Sequence, residues 1–131
     1  MTGGLRIVIV EDDALIAMDL ADLLIGMGHD VRAIASTEAE AIAAEIRCEP
    51  NLMIVDGNLA EGSGPSAMRQ ILARRYVPHL YVTGDPQSLL RLAQHAVVVA
   101  KPFNMHALSN GIARALGIAS EAATDEPQRI A

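Results

Sequence analysis

Leu52-Met53-Ile54-Val55-Asp56-Gly57-Asn58 is a run of four apolar residues that ends abruptly in a carboxylate. Pro50-Asn51 and Gly57 bound it at strand length, and a run apolar on both faces marks a buried strand of a parallel sheet. Asp56 then stands at the C-terminal edge of that sheet, where open α/β sheets bind their ligands. Taken alone, Asp56 reads as well as the first residue of an Asx-turn, a role that Asp before Gly often fills. The rest of the chain decides between the two.

Residues 5–10, LRIVIV, form a second such run, and it too ends in acid, Glu11-Asp12-Asp13. Over 14–27 the residues Ile16, Leu20, Leu23, Leu24 and Met27 recur at helical spacing, and Gly26 and Gly28 stop the helix. A weaker strand at 31–35 leads into Thr37-Glu38-Ala39-Glu40, a capping box opening a helix through Cys48 that is expected to bury Ile42 and Ile46. After Asp56 come a Gly-rich loop over 59–64 and a helix over 65–75 with Met68, Ile71 and Leu72 inward. Residues 79–83 are the fourth strand; Gly84-Asp85-Pro86 breaks it and opens a short helix to 95, held by Leu89, Leu92 and Ala93. A fifth strand over 96–100 ends in Lys101-Pro102-Phe103, and a last helix over 105–116 turns Met105, Leu108, Ile112 and Leu116 inward. Residues 1–117 thus form one domain, and the polar stretch 118–131 is expected to be a disordered tail.

Five β-α repeats with short connections imply a parallel sheet covered on both faces and joined by right-handed crossovers. The expected fold is a doubly wound, five-stranded α/β sheet of flavodoxin-like order 2-1-3-4-5, whose ligand crevice lies above strands one and three. Those are the two strands that end in acids. At 131 residues the chain is of single-domain size, and its formal charge of −6 argues against a nucleic-acid surface. Cys48 stands alone, which excludes an internal disulfide and a cysteine-based zinc site. His29, His79, His95 and His106 fall in different elements without metal-ligand spacing. With no secretion signal and no span-length apolar run, the expected location is the cytoplasm, away from membranes.

Glu11, Asp12 and Asp56 converge on the crevice, and three charged carboxylates at close quarters call for a cation. Hard oxygen ligands with room for water suit Mg²⁺. A plainer reading of Glu11-Asp12-Asp13 is an N-cap with acids on the helix dipole, and Asp13 fits that lesser role. Lys101 is the only lysine beside nine arginines. At the end of strand five, beside Thr83 at the end of strand four, it brings a compact ammonium to the same edge, so a phosphoryl group on Asp56 would meet metal, ammonium and hydroxyl together. Read singly, Thr83 is a strand end and Lys101 a surface lysine.

In this arrangement the chain resembles the receiver domain of two-component response regulators, across residues 5–116. The resemblance rests on Glu11-Asp12, on Asp56 with Gly64 eight residues on, on Thr83-Gly84 and on Lys101-Pro102-Phe103, in that order. It implies that Asp56 is the phosphoacceptor, that Glu11, Asp12, Asp56 and the Asn58 backbone carbonyl hold Mg²⁺, and that Thr83 and Lys101 read the phosphoryl group. It also implies a cis Lys101-Pro102 bond, and partners that are a histidine kinase or a histidine phosphotransfer protein. The family's usual switch aromatic is replaced here by Val98. Tyr81-Val82-Thr83-Gly84 resembles the Phe-Ala-Thr-Gly motif of a receiver subfamily that lacks that aromatic and includes single-domain regulators of stress-response phosphorelays; Pro86 departs from its pattern.

The expected role is a stand-alone switch or phosphate carrier, monomeric or weakly dimeric on phosphorylation, and not an enzyme. One rival is an aspartate-nucleophile phosphohydrolase, which would need a second acid where Asn58 stands. The other is a receiver-like binding module that works without phosphorylation, which would be marked by a missing acid or lysine. On the first helix Leu15, Met18 and Ile25 fall on a stripe the sheet cannot cover, and in receiver domains this helix is the usual docking face.

Overall fold

The computed structural model describes residues 4–130, with side chains through residue 118. Five β-α units follow one another: β1 (Arg6–Val10), α1 (Ala14–Gly26), β2 (Asp30–Ala35), α2 (Glu38–Cys48), β3 (Leu52–Asp56), α3 (Gly64–Leu72), β4 (His79–Thr83), α4 (Pro86–Leu92), β5 (Val98–Ala100) and α5 (Met105–Ile130). The strands pair in parallel in the order β2-β1-β3-β4-β5, the flavodoxin-like arrangement expected from the alternation.

Alternation along the central strands builds two cores, one on each face of the sheet. Ile7, Ile9, Leu52, Ile54, Leu80 and Val82 pack on one face with Leu20 and Leu24 of α1 and Leu108 and Ile112 of α5. Val8, Val10, Met53, Val55 and Tyr81 pack on the other with Ala41 and Ala44 of α2, Met68 and Ile71 of α3, and Leu89 of α4. Full burial of each large aliphatic side chain stabilises the fold by about 1.5–3 kcal/mol. β1 and β3 are hydrogen-bonded neighbours inside the sheet, so the acids at their ends are brought together by strand pairing.

Several helix details depart from the periodicity. Ile46 is 53% exposed and Ile42 only half-buried; the small Ala41 and Ala44 let α2 approach the sheet closely, and the next inward position is taken by Glu45. Met105 is 52% exposed, because Phe103 just before it packs against the core and α5 meets the sheet only from Leu108 onward. α3 ends at Leu72, where the chain turns so that Arg74 and Arg75 reach Glu45. α4 ends at Leu92, itself exposed, since Leu89 is the single buried residue of that helix. α5 runs past residue 116 to Ile130, on good helix formers such as Ala119, Glu121, Ala122 and Ala123. Among the described residues no helix is long and apolar enough to cross a membrane.

Candidate functional site

Each candidate side chain is set by a strand end. Glu11 follows β1 and is locked by its own N–H, which donates to Ala35 O at 2.8 Å, and by its Oε2, which accepts from Asp13 N at 3.1 Å. Asp13 caps α1, its Oδ1 accepting from Leu15 N at 2.9 Å and from Ile16 N at 3.2 Å. That leaves Glu11 and Asp12 free of the helix start. Asp56 closes β3 and accepts at Oδ1 from Asn58 N at 3.2 Å. Lys101 follows β5, and its N–H donates to Thr83 O at 2.8 Å, which ties its backbone to the end of β4. The Lys101-Pro102 bond is cis, as the resemblance implied.

Ligand atoms of Glu11, Asp12 and Asp56 all lie within 4.8 Å of one another. Lys101 Nζ lies 3.1 Å from Glu11 Oε1 and 3.4 Å from Asp56 Oδ2. Glu11 and Asp56 are buried, at 2% and 7% exposure, while Asp12 and Asn58 face solvent. Burial, together with the neighbouring Asp56 carboxylate, pushes the Glu11 carboxyl up to about 7, against the opposing pull of Asp13 N–H and Lys101. At Lys101 burial opposes the ammonium, but the hydrogen bond to Glu11 and the charge of Asp56 outweigh it and raise its value.

One ammonium thus faces three carboxylates, two of them out of water, and the surplus negative charge is the condition under which a hard cation binds. The donor set is all oxygen and is open on the Asp12 and Asn58 side, which fits Mg²⁺ with several retained waters rather than a closed cage. The hydroxyl of Thr83 is buried on the neighbouring strand and accepts from Asp85 N at 3.0 Å. It borders a cleft of about 200 Å³ lined by Gly57, Asn58, Thr83, Asp85, Ser88 and Leu89. The sequence-based candidates Glu11, Asp12, Asp56 and Lys101 therefore meet in space, and Thr83 stands beside them on β4 with its backbone bonded to Lys101.

Two charged residues near this frame escaped the sequence reading. Glu45 is buried on the inner face of α2 and bound by Arg74 and Arg75. Its place between Ala41, Ala44 and Cys48 at helical spacing was the available signal. Glu38 reads as part of a capping box, yet its carboxylate bonds to Ser63, Ser66 and Gln70 across the loop that follows Asp56. No local spacing announces that contact.

No family model matches the chain. It is 40% identical over 116 residues to the phyllosphere-induced regulator PhyR of Methylorubrum extorquens, covering 85% of this chain and 43% of that protein. It is 33% identical over 104 residues to the transcriptional regulatory protein PdtaR of Mycobacterium tuberculosis, covering 76% of this chain and 51% of that protein. The chain therefore spans about half the length of the curated relatives it matches. Among solved structures, the solution structure of the receiver (REC) domain of the Erythrobacter litoralis response regulator PhyR superposes with a TM-score of 0.79 at 34% identity, over 87% of this chain and 91% of that one. A receiver domain matched over nearly its whole length, in sequence and in fold, makes this chain a member of the receiver-domain family of response regulators.

Proposed function

We propose that this chain is a phosphorylation-controlled receiver in which Asp56 accepts a phosphoryl group from the phosphohistidine of a histidine kinase or histidine phosphotransfer protein. The carrying observation is the meeting of Glu11, Asp12 and Asp56 within 4.8 Å, with Lys101 Nζ 3.4 Å from Asp56, at the C-terminal edge of a parallel sheet. A carboxylate oxygen of Asp56 attacks phosphorus, the P–N bond to the donor imidazole breaks, and its electron pair returns to the ring nitrogen, which takes up a proton. Charge on the transferred group is the main obstacle. Glu11, Asp12, Asp56 and the Asn58 backbone carbonyl would hold Mg²⁺, which when bound would supply the neutralising charge. Lys101 holds one phosphoryl oxygen as an ammonium ion, and the Thr83 hydroxyl, which accepts from Asp85 N–H, donates its own proton to another. The acyl phosphate formed on Asp56 is later hydrolysed by water, which resets the switch.

The chain acts as a signalling switch or carrier in the cytoplasm rather than as a multiple-turnover enzyme, and its direct partner is the phosphodonor protein. Intact-mass measurement with a small-molecule phosphodonor and Mg²⁺ tests the reading. One phosphoryl group is expected on the wild type and none on Asp56→Asn, while Asp12→Ala is expected to lose most of the Mg²⁺ affinity in a titration. Equal modification of wild type and Asp56→Asn would overturn it.

A further inference from the structure

Glu38, the first residue of α2, turns away from its own helix. Thr37 and Glu40 complete that helix start between themselves: Thr37 Oγ1 accepts from Glu40 N at 3.1 Å, and Glu40 Oε1 accepts from Ser36 N at 2.8 Å. The Glu38 carboxylate instead crosses to the segment after Asp56. Its Oε1 accepts from Ser63 N at 3.1 Å, and its Oε2 accepts from Ser66 Oγ at 2.8 Å and from Gln70 Nε2. Its backbone N–H donates to Glu61 O at 3.1 Å. Ser63 is the N-cap of α3, so a carboxylate here also meets the positive end of that helix.

The loop between has no slack. Gly62 lies at φ +85°, and a Cβ there would stand 2.4 Å from Glu38 Oε1; a Cβ on Gly64 would stand 2.1 Å from Asp56 O. The loop is thus pressed between Glu38 on one side and the end of β3 on the other. Ser63, between the two glycines, pairs with Asn58, whose N–H in turn donates to Asp56 Oδ1 at 3.2 Å. A continuous path runs from Glu38 through Ser63 and Asn58 to Asp56.

We infer that Glu38 is a positioning residue for the divalent-cation site: by anchoring Ser63 it fixes Asn58, and with it the loop side of the cation's ligand set. This deepens the reading of Asp56 given above and rests on it. Groups that hold metal ligands from behind lower metal affinity by about 10–100-fold when removed. A tie that only joined α2 to α3 would have no such effect, and Glu45 provides the comparison, since it joins α2 to the end of α3 without touching residues 57–64.

The test is calorimetric titration of Mg²⁺ into the full chain as wild type, Glu38→Ala, Glu38→Gln and Glu45→Ala, with amide hydrogen exchange over 57–64 measured without metal. Glu38→Ala is expected to weaken Mg²⁺ binding by about tenfold or more and to speed exchange in the loop. Glu45→Ala is expected to lower the melting temperature while leaving both readouts at wild-type values. Glu38→Gln, which keeps the shape and one acceptor, is expected to fall between, and it decides the matter if Glu38→Ala does not fold. Wild-type Mg²⁺ affinity in the Glu38 variants, or equal weakening in Glu45→Ala, overturns the positioning role and leaves the Asp56 reading standing. Failure of the wild type to bind Mg²⁺ overturns both.

Discussion

Lys101 Nζ lies 3.4 Å from Asp56 Oδ2, although the two residues end strands that β4 separates. The same ammonium is 3.1 Å from Glu11 Oε1, so it is shared between two buried carboxylates. Removing it leaves the acids to a metal ion alone. Lys101→Ala is therefore expected to fold and to bind Mg²⁺ at least as tightly as the wild type, while losing the response to phosphorylation. Amide NMR spectra before and after treatment with a small phosphodonor check this. Phosphorylation-dependent shifts of wild-type size in the variant would make Lys101 a bystander.

Leu15 and Met18 are 76% and 59% exposed, so α5 does not cover the outer stripe of α1 at its crevice end. The same helix also lines a groove of about 600 Å³, through Ile16, Asp19, Asp22 and Leu23, together with Lys101, Pro102 and Phe103. If the proposed phosphodonor docks on this surface to reach Asp56, exposed Leu and Met there would provide adaptable apolar contact. Leu15→Asp and Met18→Asp are expected to slow transfer from the partner protein roughly tenfold, the equivalent of about 1.4 kcal/mol of docking. Phosphorylation by a small donor should not change. Equal slowing with both donors would mark the stripe as structural.

Glu45 is 1% exposed and accepts from Arg75 Nε at 2.7 Å and from Arg74, whereas both arginines keep contact with water. Losing the acid and losing its partners are therefore unequal. Glu45→Met lets both guanidinium groups return to solvent and fills the space with apolar volume, a change expected to cost under about 1 kcal/mol. Arg74→Ala with Arg75→Ala strands a buried carboxylate and is expected to cost about 3 kcal/mol. Urea unfolding of the two variants separates them, and equal losses would show that the pair matters only for packing.

His79 Nδ1–H donates to Val77 O at 2.8 Å, and the ring meets Tyr81 edge-on at 5.7 Å. Burial lowers its value, and the Val77 carbonyl opposes that only in part. The unfolded chain then binds a proton more readily than the folded one, so this residue's contribution to stability is full above about pH 6.5 and falls as the pH drops toward the folded-state value. Below that value the loss is complete. Unfolding midpoints measured between about pH 7.5 and 5.5 are expected to fall more steeply for the wild type than for His79→Gln. Parallel curves would refute it.

The sheet was legible because β1 and β3 are nearly uninterrupted apolar runs bounded by turns, and β4 begins and ends where its residues predict. The helix faces were less so. Ile46 and Met105 have the right spacing and the wrong surroundings: which turn of a helix meets the sheet depends on the volume of neighbours such as Ala44 and Phe103, and periodicity carries no information about that. Ile25, placed by its spacing on the outer stripe of α1, is 57% exposed.

By itself the sequence determined the five β-α units, their order, and the fact that acids end β1 and β3 while Thr83 and Lys101 end β4 and β5. These follow from local chemistry, since strand length, capping and turn residues act over a few positions. Only the tertiary structure decided how far each side chain reaches: that Lys101 bridges 90 positions to Glu11, that Glu45 goes inside with two arginines, and that Glu38 leaves its helix to clamp Ser63. Those contacts join residues far apart along the chain, and their formation depends on the distance between packed elements, which is set by the summed volumes of both cores and is written in no single stretch of sequence.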